Sequence, residues 1–368
     1  MNKKVFIGLS GGVDSAVSAA LLQAAGFEVH AVFLKNWSES KNLKGECAWR
    51  DERRMALRVA AQLGITFRTL DYEERFQREV IDYLFHEYAA GRTPNPDVMC
   101  NKYVKFDALF ASADRVGAEW VATGHYARLG TGSTGTDPEG ICPRSTCPRL
   151  LKGADKNKDQ SYFLHQLNPE YLSRLKFPVG EMTKPEVRAL AKKFNLPNAD
   201  KEDSVGICFV GEVPLGDFLK QKIKMRPGPV MLIDENGLPV RNVGEHSGLE
   251  QFTIGQRHGF GGGGGTPYFV VAKNLKTNTL LVADRTDHPA LMGTTCRVSN
   301  PHFLSPLEDW PSMCEVKIRY RHEGVSSTWN RDGEDFILKF SKSQRAVTSG
   351  QFAVLYDNDV CLGGGVIV

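Results

Sequence analysis

The sequence predicts an α/β protein with an N-terminal doubly wound parallel sheet, a small central β-rich domain and a C-terminal β-barrel. Three observations carry this expectation. Strand-like and helix-like segments alternate through the first half, which implies parallel strands with helices on both faces. From about residue 214 the texture shifts to short strands and turns. The last stretch reads as all-β, with alternating apolar residues between turn signals. The expected domains are 1–213, 214–283 and 284–368, which suits a chain of 368 residues.

Each element follows from local pattern. Residues 5–9 form a short apolar run, a buried first strand, ending in a glycine turn. A helix over 15–25 follows and closes at Gly26. Residues 28–34 read as a strand, 50–63 as a helix ending at Gly64, and 65–70 as a third strand. Helices are expected over 72–89 and 104–116, then a fourth strand over 120–123. Residues 130–148 are rich in Gly, Ser, Thr and Pro and read as a long surface hairpin or loop. Thr183-Lys184-Pro185-Glu186 has the form of a capping box, with a helix through Phe194. The five glycines 261–265 predict a flexible loop. Near the end, 316–320 alternates, Asp332-Gly333 marks a hairpin turn before 336–340, and Asp357-Asn358-Asp359 turns between 352–356 and 360–362.

With 41% hydrophobic and 24% charged residues, the chain has enough apolar material for sizeable cores and is not a disordered sequence. A net charge of +3 neither demands nor excludes a nucleic-acid partner. No apolar run approaches the ~18–20 residues that span a bilayer, and no secretion signal is evident, so a cytoplasmic protein without a membrane partner is expected. Eight cysteines in such a chain are read as thiols rather than stable disulfides. Cys142 and Cys147 are too few for a zinc site, which needs about four ligands, and no metal centre is expected.

The strongest local signal is Ser10-Gly11-Gly12-Val13-Asp14-Ser15 between strand and helix. Glycines let the backbone approach a ligand closely, and the helix start offers unpaired amides, which together make a phosphate cradle. Asp14 would repel a bare phosphate, so its place is with Mg²⁺ or the loop itself. A Walker loop is excluded, because the chain contains no Gly-Lys pair. Two cysteines sit in unusual settings. Cys100 follows Asn95-Pro96-Asp97, where a helix beginning after Pro96 would give Asp97 and the thiol a common first turn and the thiolate the helix dipole. Cys208 lies in Asp203-Ser204-Val205-Gly206-Ile207-Cys208-Phe209, which by itself reads equally well as a buried strand.

The glycine loop resembles the SGGxDS loop of ATP pyrophosphatases, which split ATP between its α and β phosphates and attach AMP to a substrate oxygen. That likeness leaves the substrate open. A small-molecule ligase would use neither cysteine, and a nucleotide-sensing RNA binder would not turn over. An iron–sulfur thiolase would want about three or four clustered cysteines. The two cysteine motifs, together with Phe33-Leu34-Lys35-Asn36-Trp37, Ala122-Thr123-Gly124-His125-Tyr126, Asn157-Lys158-Asp159-Gln160-Ser161-Tyr162-Phe163, Gly255-Gln256-Arg257, Arg319-Tyr320 and Cys361-Leu362-Gly363-Gly364-Gly365, resemble the bacterial tRNA-specific 2-thiouridylase family (MnmA/TrmU) over nearly the full chain. The resemblance implies a Rossmann-like ATP-pyrophosphatase domain that uses ATP and Mg²⁺ to activate the wobble uridine of lysine, glutamate and glutamine tRNAs. A persulfide on Cys208 then supplies sulfur, released by Cys100 with Asp97 as general acid/base. Carried over by position, Gly8, Leu9, Ser10, Gly11, Gly12, Val13, Asp14, Ser15, Leu34 and Gly124 bind ATP. Asn95, Pro96 and Asp97 meet the target base, and His125, Lys158, Asp159, Gln160, Arg319, Tyr320 and Gln351 meet tRNA. A persulfide donor protein is the other implied partner, and the free protein is expected to be a monomer. The segment 130–148 is longer than the family pattern.

Overall fold

The computed structural model describes residues 3–38, 48–131, 148–202, 213–258 and 267–368. The chain opens with β1 (Lys4–Gly8), α1 (Val13–Ala24), β2 (Glu28–Lys35), α2 (Ala48–Leu63) and β3 (Thr66–Asp71). Helix α3 (Glu73–Phe76) runs through a π-helical turn, Gln77–Ile81, into α4 (Asp82–Ala89). Helix α5 (Pro96–Cys100) likewise runs through a π-helical turn, Asn101–Lys105, into α6 (Phe106–Arg115). This second helix therefore starts well before the expected 104. Asn95 caps it by accepting from Val98 N at 3.4 Å, and Pro96 occupies a first-turn position that needs no amide.

Next come β4 (Trp120–Ala122), β5 (Ala127–Thr131), β6 (Pro148–Lys152), α7 (Ser161–Leu164), β7 (Leu175–Lys176) and α8 (Lys184–Lys193). The predicted capping box is present, with Glu186 accepting from both N and Oγ1 of Thr183 at 2.7 Å. The N-terminal sheet has the order β3-β2-β1-β4-β7, all parallel. β1 is an apolar strand with Val5 and Ile7 fully buried, as a strand covered on both faces should be. Ala16, Val59 and Val187 from α1, α2 and α8 pack one face, and Phe76, Val80, Val104 and Leu109 build the core on the other.

The expected loop over 130–148 is flanked by real strands: β5 and β6 pair antiparallel from Ala127↔Lys152 to Thr131↔Pro148. Its middle, with Cys142 and Cys147, lies outside the described residues, as do the glycines 261–265 and Cys208.

After α9 (Leu215–Leu219), the central unit is a five-stranded sheet of β8 (Gly228–Ile233), β9 (Pro239–His246), β10 (Arg257–His258), β11 (Tyr268–Asn274) and β12 (Thr279–Ala283). The C-terminal strands are β13 (Met292–Phe303), β14 (Met313–Lys317), β15 (Val325–Asp332), β16 (Asp335–Arg345), β17 (Phe352–Asp357) and β18 (Val360–Ile367). They follow the order β13-β16-β15-β14-β17-β18, and β13 pairs with β18 to close a six-stranded barrel. Both predicted hairpin turns are present, at 333–334 and 358–359. β14 stops at Lys317 rather than 320, because the chain turns at Arg319–His322 with Arg321 at φ 62°.

The β5–β6 hairpin joins the N-terminal sheet to the barrel. Leu151 pairs with Val360, and Lys152 N donates to Asp359 O at 2.8 Å. Arg149 on β6 meets Asp309 at 3.1 Å, with side-chain exposures of only 9% and 11%. Arg149→Met should take the guanidinium away from that carboxylate and cost about 3 kcal/mol, whereas Arg149→Met with Asp309→Leu should recover most of the loss. Urea unfolding checks this; equal midpoints for wild type and single variant would show that the pair does not join the two domains.

Candidate active site

A cleft of about 330 Å³ opens at the carboxyl ends of the central strands. It lies where the strand order reverses, between β1 and β4, the usual ligand position in an open parallel sheet. Gly8, Leu9, Ser10, Gly12, Asp14, Ser15, Leu34 and Gly124 line one end, and Asp97, Cys100, Lys105, His125 and Gln160 also border it. Gly11 and Val13 complete the loop without lining the cleft.

The loop is built to stay open. Ser15 Oγ donates to Gly12 O at 3.1 Å and accepts from Ser10 N at 3.2 Å, which draws the two serines together. Gly11 sits at φ 81°, and a Cβ there would lie 2.4 Å from Glu52 O. A Cβ on Gly124 would come within 2.6 Å of Ser15 N. The N-cap of α1 is Gly12, which offers no side chain to its first-turn amides and leaves them for an anion. Asp14 belongs to the loop: its Oδ1 accepts from Lys184 Nζ at 2.7 Å and Tyr126 Oη at 2.8 Å. No group of three or more His, Cys, Asp or Glu side chains suited to a metal gathers among the described residues.

Just beyond β2 and on α2, three buried polar atoms at the cleft have no hydrogen-bond partner among the described residues: Asn36 Oδ1, Trp37 Nε1 and Trp49 Nε1. Unpaired buried donors and acceptors are costly, so they mark where a ligand with an aromatic, hydrogen-bonding edge fits. With the phosphate cradle, they make the cleft suitable for a purine nucleotide. Burial raises the Glu52 carboxyl, with Lys201 opposing the shift, and Lys201 Nζ reaches Gly11 O at 3.5 Å.

At the other end is Cys100, 9% exposed. Burial pushes its thiol up to about 11; the Lys105 charge pulls it down and the Asp97 charge pushes it up. The expected dipole-stabilised thiolate is thus corrected. Cys100 closes the five-residue helix α5 rather than opening it, and desolvation dominates. His125 lies well below the usual imidazole range because it is buried and Lys105 faces it. Neutral His125 takes the Lys105 ammonium at Nε2, 3.4 Å, so Nδ1 carries the proton toward Thr123 Oγ1 at 2.7 Å.

The residues expected to meet tRNA divide. Asp97, His125 and Gln160 line the cleft, while Asn95 and Pro96 shape the start of α5. Gln160 Oε1 accepts from Tyr126 N at 2.9 Å. Asp159 is buried: Oδ1 accepts from Gly153 N and Ser161 N, both at 3.0 Å, and Oδ2 takes Lys317 Nζ at 3.1 Å, so it ties its loop to the barrel. Lys158 beside it is half-buried and outside the cleft. Arg319 donates to Arg345 O at 3.0 Å, and Tyr320 packs on Phe163 with ring centroids 4.4 Å apart. Gln351 Nε2 donates to Thr93 O at 2.9 Å, bracing the segment that leads into α5. Sequence reasoning missed Lys105, Glu52, Trp49, Lys184 and Lys201. Only Lys105 carried a local signal, five residues after Cys100.

Residues 3–212 match the family described as tRNA methyl transferase HUP domain, residues 216–284 the tRNA methyl transferase PRC-barrel domain, and residues 293–367 the aminomethyltransferase beta-barrel domain. The chain is 42% identical over 370 aligned residues to a tRNA-specific 2-thiouridylase MnmA of Streptococcus sanguinis, covering 99% of this chain and 95% of that protein. The corresponding protein of Streptococcus mutans gives the same identity and coverage. A solved 4-thiouridine synthetase–RNA complex with bound ATP is 16% identical, with a TM-score of 0.38 over 60% of this chain and 50% of that one, too distant to add to these.

Gln351→Ala should release the Thr93 carbonyl, cost about 1 kcal/mol, and speed hydrogen exchange at Val98 and Met99 in α5. Unchanged exchange at those two amides would deny Gln351 its bracing place.

Proposed function

The chain belongs to the tRNA-specific 2-thiouridylase family, and from that premise we propose that it replaces the C2 oxygen of the wobble uridine in lysine, glutamate and glutamine tRNAs with sulfur, consuming ATP. The observation that supports this reading best is one cleft holding a polyphosphate loop at one end and Cys100 with Asp97 at the other. The methyl-transfer label of the matched family fits less well, since a glycine loop of this kind suits a polyphosphate rather than a sulfonium donor.

The uracil C2 carbonyl is a poor electrophile and its oxygen a poor leaving group. Attack of O2 on the α-phosphorus of ATP, with loss of pyrophosphate, answers both, and Mg²⁺ enters as the ATP complex. The loop amides and Ser10 and Ser15 offset phosphate charge, Gly11 and Gly124 let the loop pack against α2 and the end of β4 without a side chain between, and Leu34, Trp37 and Trp49 enclose the base. The target uridine must leave the anticodon stack to reach this depth.

Sulfur arrives on Cys208 as a persulfide from a donor protein. The Cys100 thiolate attacks Cys208 Sγ, a Cys100–Cys208 disulfide forms, and the outer sulfur leaves with the bonding pair as sulfide. Sulfide adds to C2, and AMP departs with the former O2. A thiol reductant then returns both cysteines. Asp97, bordering the cleft with Cys100, takes the thiol proton.

The test is mass analysis of nucleosides from unmodified lysine tRNA incubated with protein, Mg-ATP and a persulfide donor. Wild type should yield 2-thiouridine, Cys208→Ser none, and Cys100→Ser at least about 100-fold less. Thiolation surviving in Cys208→Ser would remove its carrier role, and pyrophosphate release without RNA would point to a small-molecule ligase.

A further inference from the structure

The π-helical turn Asn101–Lys105 is the least expected feature near the cleft. In an α-helix, at about 100° per residue, position i+5 lies roughly 140° around from position i. Hydrogen bonds running i→i+5 reduce that offset and bring Lys105 back toward the side of Cys100, and such π turns occur often at functional sites. Both residues border the same cleft.

The ammonium is held rather than neutralised. Lys105 Nζ donates to Asn101 Oδ1 at 2.8 Å, and Asn101 Nδ2 donates to Phe163 O at 3.1 Å, anchoring it to α7. Its other neighbour is the neutral His125 ring at 3.4 Å. No carboxylate pairs with it among the described residues. The other ionisable groups at the cleft are differently occupied: Asp14 is bound to Lys184, and Glu52 and Lys201 face each other at the loop. On the neighbouring π turn Arg78 pairs with Glu79, and on α7 Tyr162 Oη donates to Phe352 O. Cys100 is therefore left between the acid Asp97 and one uncompensated cation.

We propose that Lys105, aimed by Asn101, is the positioning residue that holds Cys100 as a thiolate when sulfur is released. The thiol proton goes to Asp97, and the ammonium lowers the cost of the remaining anion. This rests on the sulfur-transfer reading of the site, but the coupling can be measured without tRNA, ATP or a sulfur donor.

The experiment is the pH dependence of Cys100 carbamidomethylation by iodoacetamide, followed by peptide mass mapping, in Cys208→Ser protein. Lys105→Met should move the midpoint upward by about one pH unit, an approximately tenfold loss of reactivity below the midpoint. Lys105→Arg should keep the midpoint within about 0.3 unit. An unchanged midpoint in Lys105→Met, or an equal upward shift in both variants, would overturn the proposal. If Lys105→Met does not fold, Lys105→Gln gives the same comparison. In the tRNA assay Lys105→Met should lower 2-thiouridine formation about tenfold while the first-turnover release of pyrophosphate, which precedes the sulfur step, stays within about twofold. A shifted midpoint with no thiolation by wild type would keep the coupling and reject the thiolase reading.

Discussion

The Asp14 carboxylate is the constraint on which the site depends. Lys184 from α8 and Tyr126 from the chain after β4 both donate to its Oδ1, so three segments far apart in sequence meet at one oxygen. Lys184 is itself buried, and its backbone N donates to Asp155 Oδ2 at 2.9 Å. Removing either member of such a pair leaves the other charge poorly solvated. Asp14 is thereby tied to the loop through Oδ1 while its side chain still borders the cleft. It fixes the start of α1, which in turn sets the direction of the open first-turn amides. Gly124 belongs to the same arrangement, because only a residue without a side chain lets the strand end lie against Ser15.

The C-terminal barrel extends this fixation to the other end of the cleft. Thr93 N donates to Ser349 O at 3.0 Å while Gln351 holds the Thr93 carbonyl, so the backbone entering α5 is gripped on both its polar groups. Lys317 on β14 reaches Asp159, whose loop carries Gln160 to Tyr126 and hence back to Asp14. Nucleotide loop, thiol helix and barrel form one hydrogen-bonded frame. Gln351 of the barrel thus holds the segment leading into the Cys100 helix without itself lining the cleft.

Much of the fold was legible because its signals are local. The glycine loop, the capping box at Thr183 and the turns at Asp332-Gly333 and Asp357-Asn358-Asp359 each depend on neighbouring residues, and each is found. The start of α5 was half legible: a helix beginning after Pro96 could be read, but the Asn95 cap was not, and the π turn that carries the helix into α6 leaves no pattern in apolar spacing. What escaped is long-range. Asp159 looked like a surface contact until Lys317 was seen 158 residues away, and Gln351 meets Thr93 across 258 residues. Glu52 was read only as a member of a helix, and Trp49 lay just before that helix. Their place in the cleft follows from how α2 lies over the loop, which no motif records. The site residues that were foreseen came from motif resemblance, since spacing alone does not bring residue 100 beside residue 124.

The arrangement answers a conflict built into the chemistry. On the proposed reading, a cleft that takes a polyphosphate fills with negative charge, yet the Cys100 thiol in the same cavity must also become an anion. Burial makes that harder, and Cys100 rests as a protonated thiol well above its ordinary range. Spreading cations along the cleft resolves the conflict better than concentrating them would. Loop amides and Lys201 stand at the phosphate end, and among the described residues Lys105 is the cation at the sulfur end. Because Lys184 is already committed to Asp14, the phosphate loop does not draw on the charge that Cys100 needs. A neutral His125 serves the same separation: its imidazole accepts from Lys105 without cancelling its charge, which a carboxylate at that position would do.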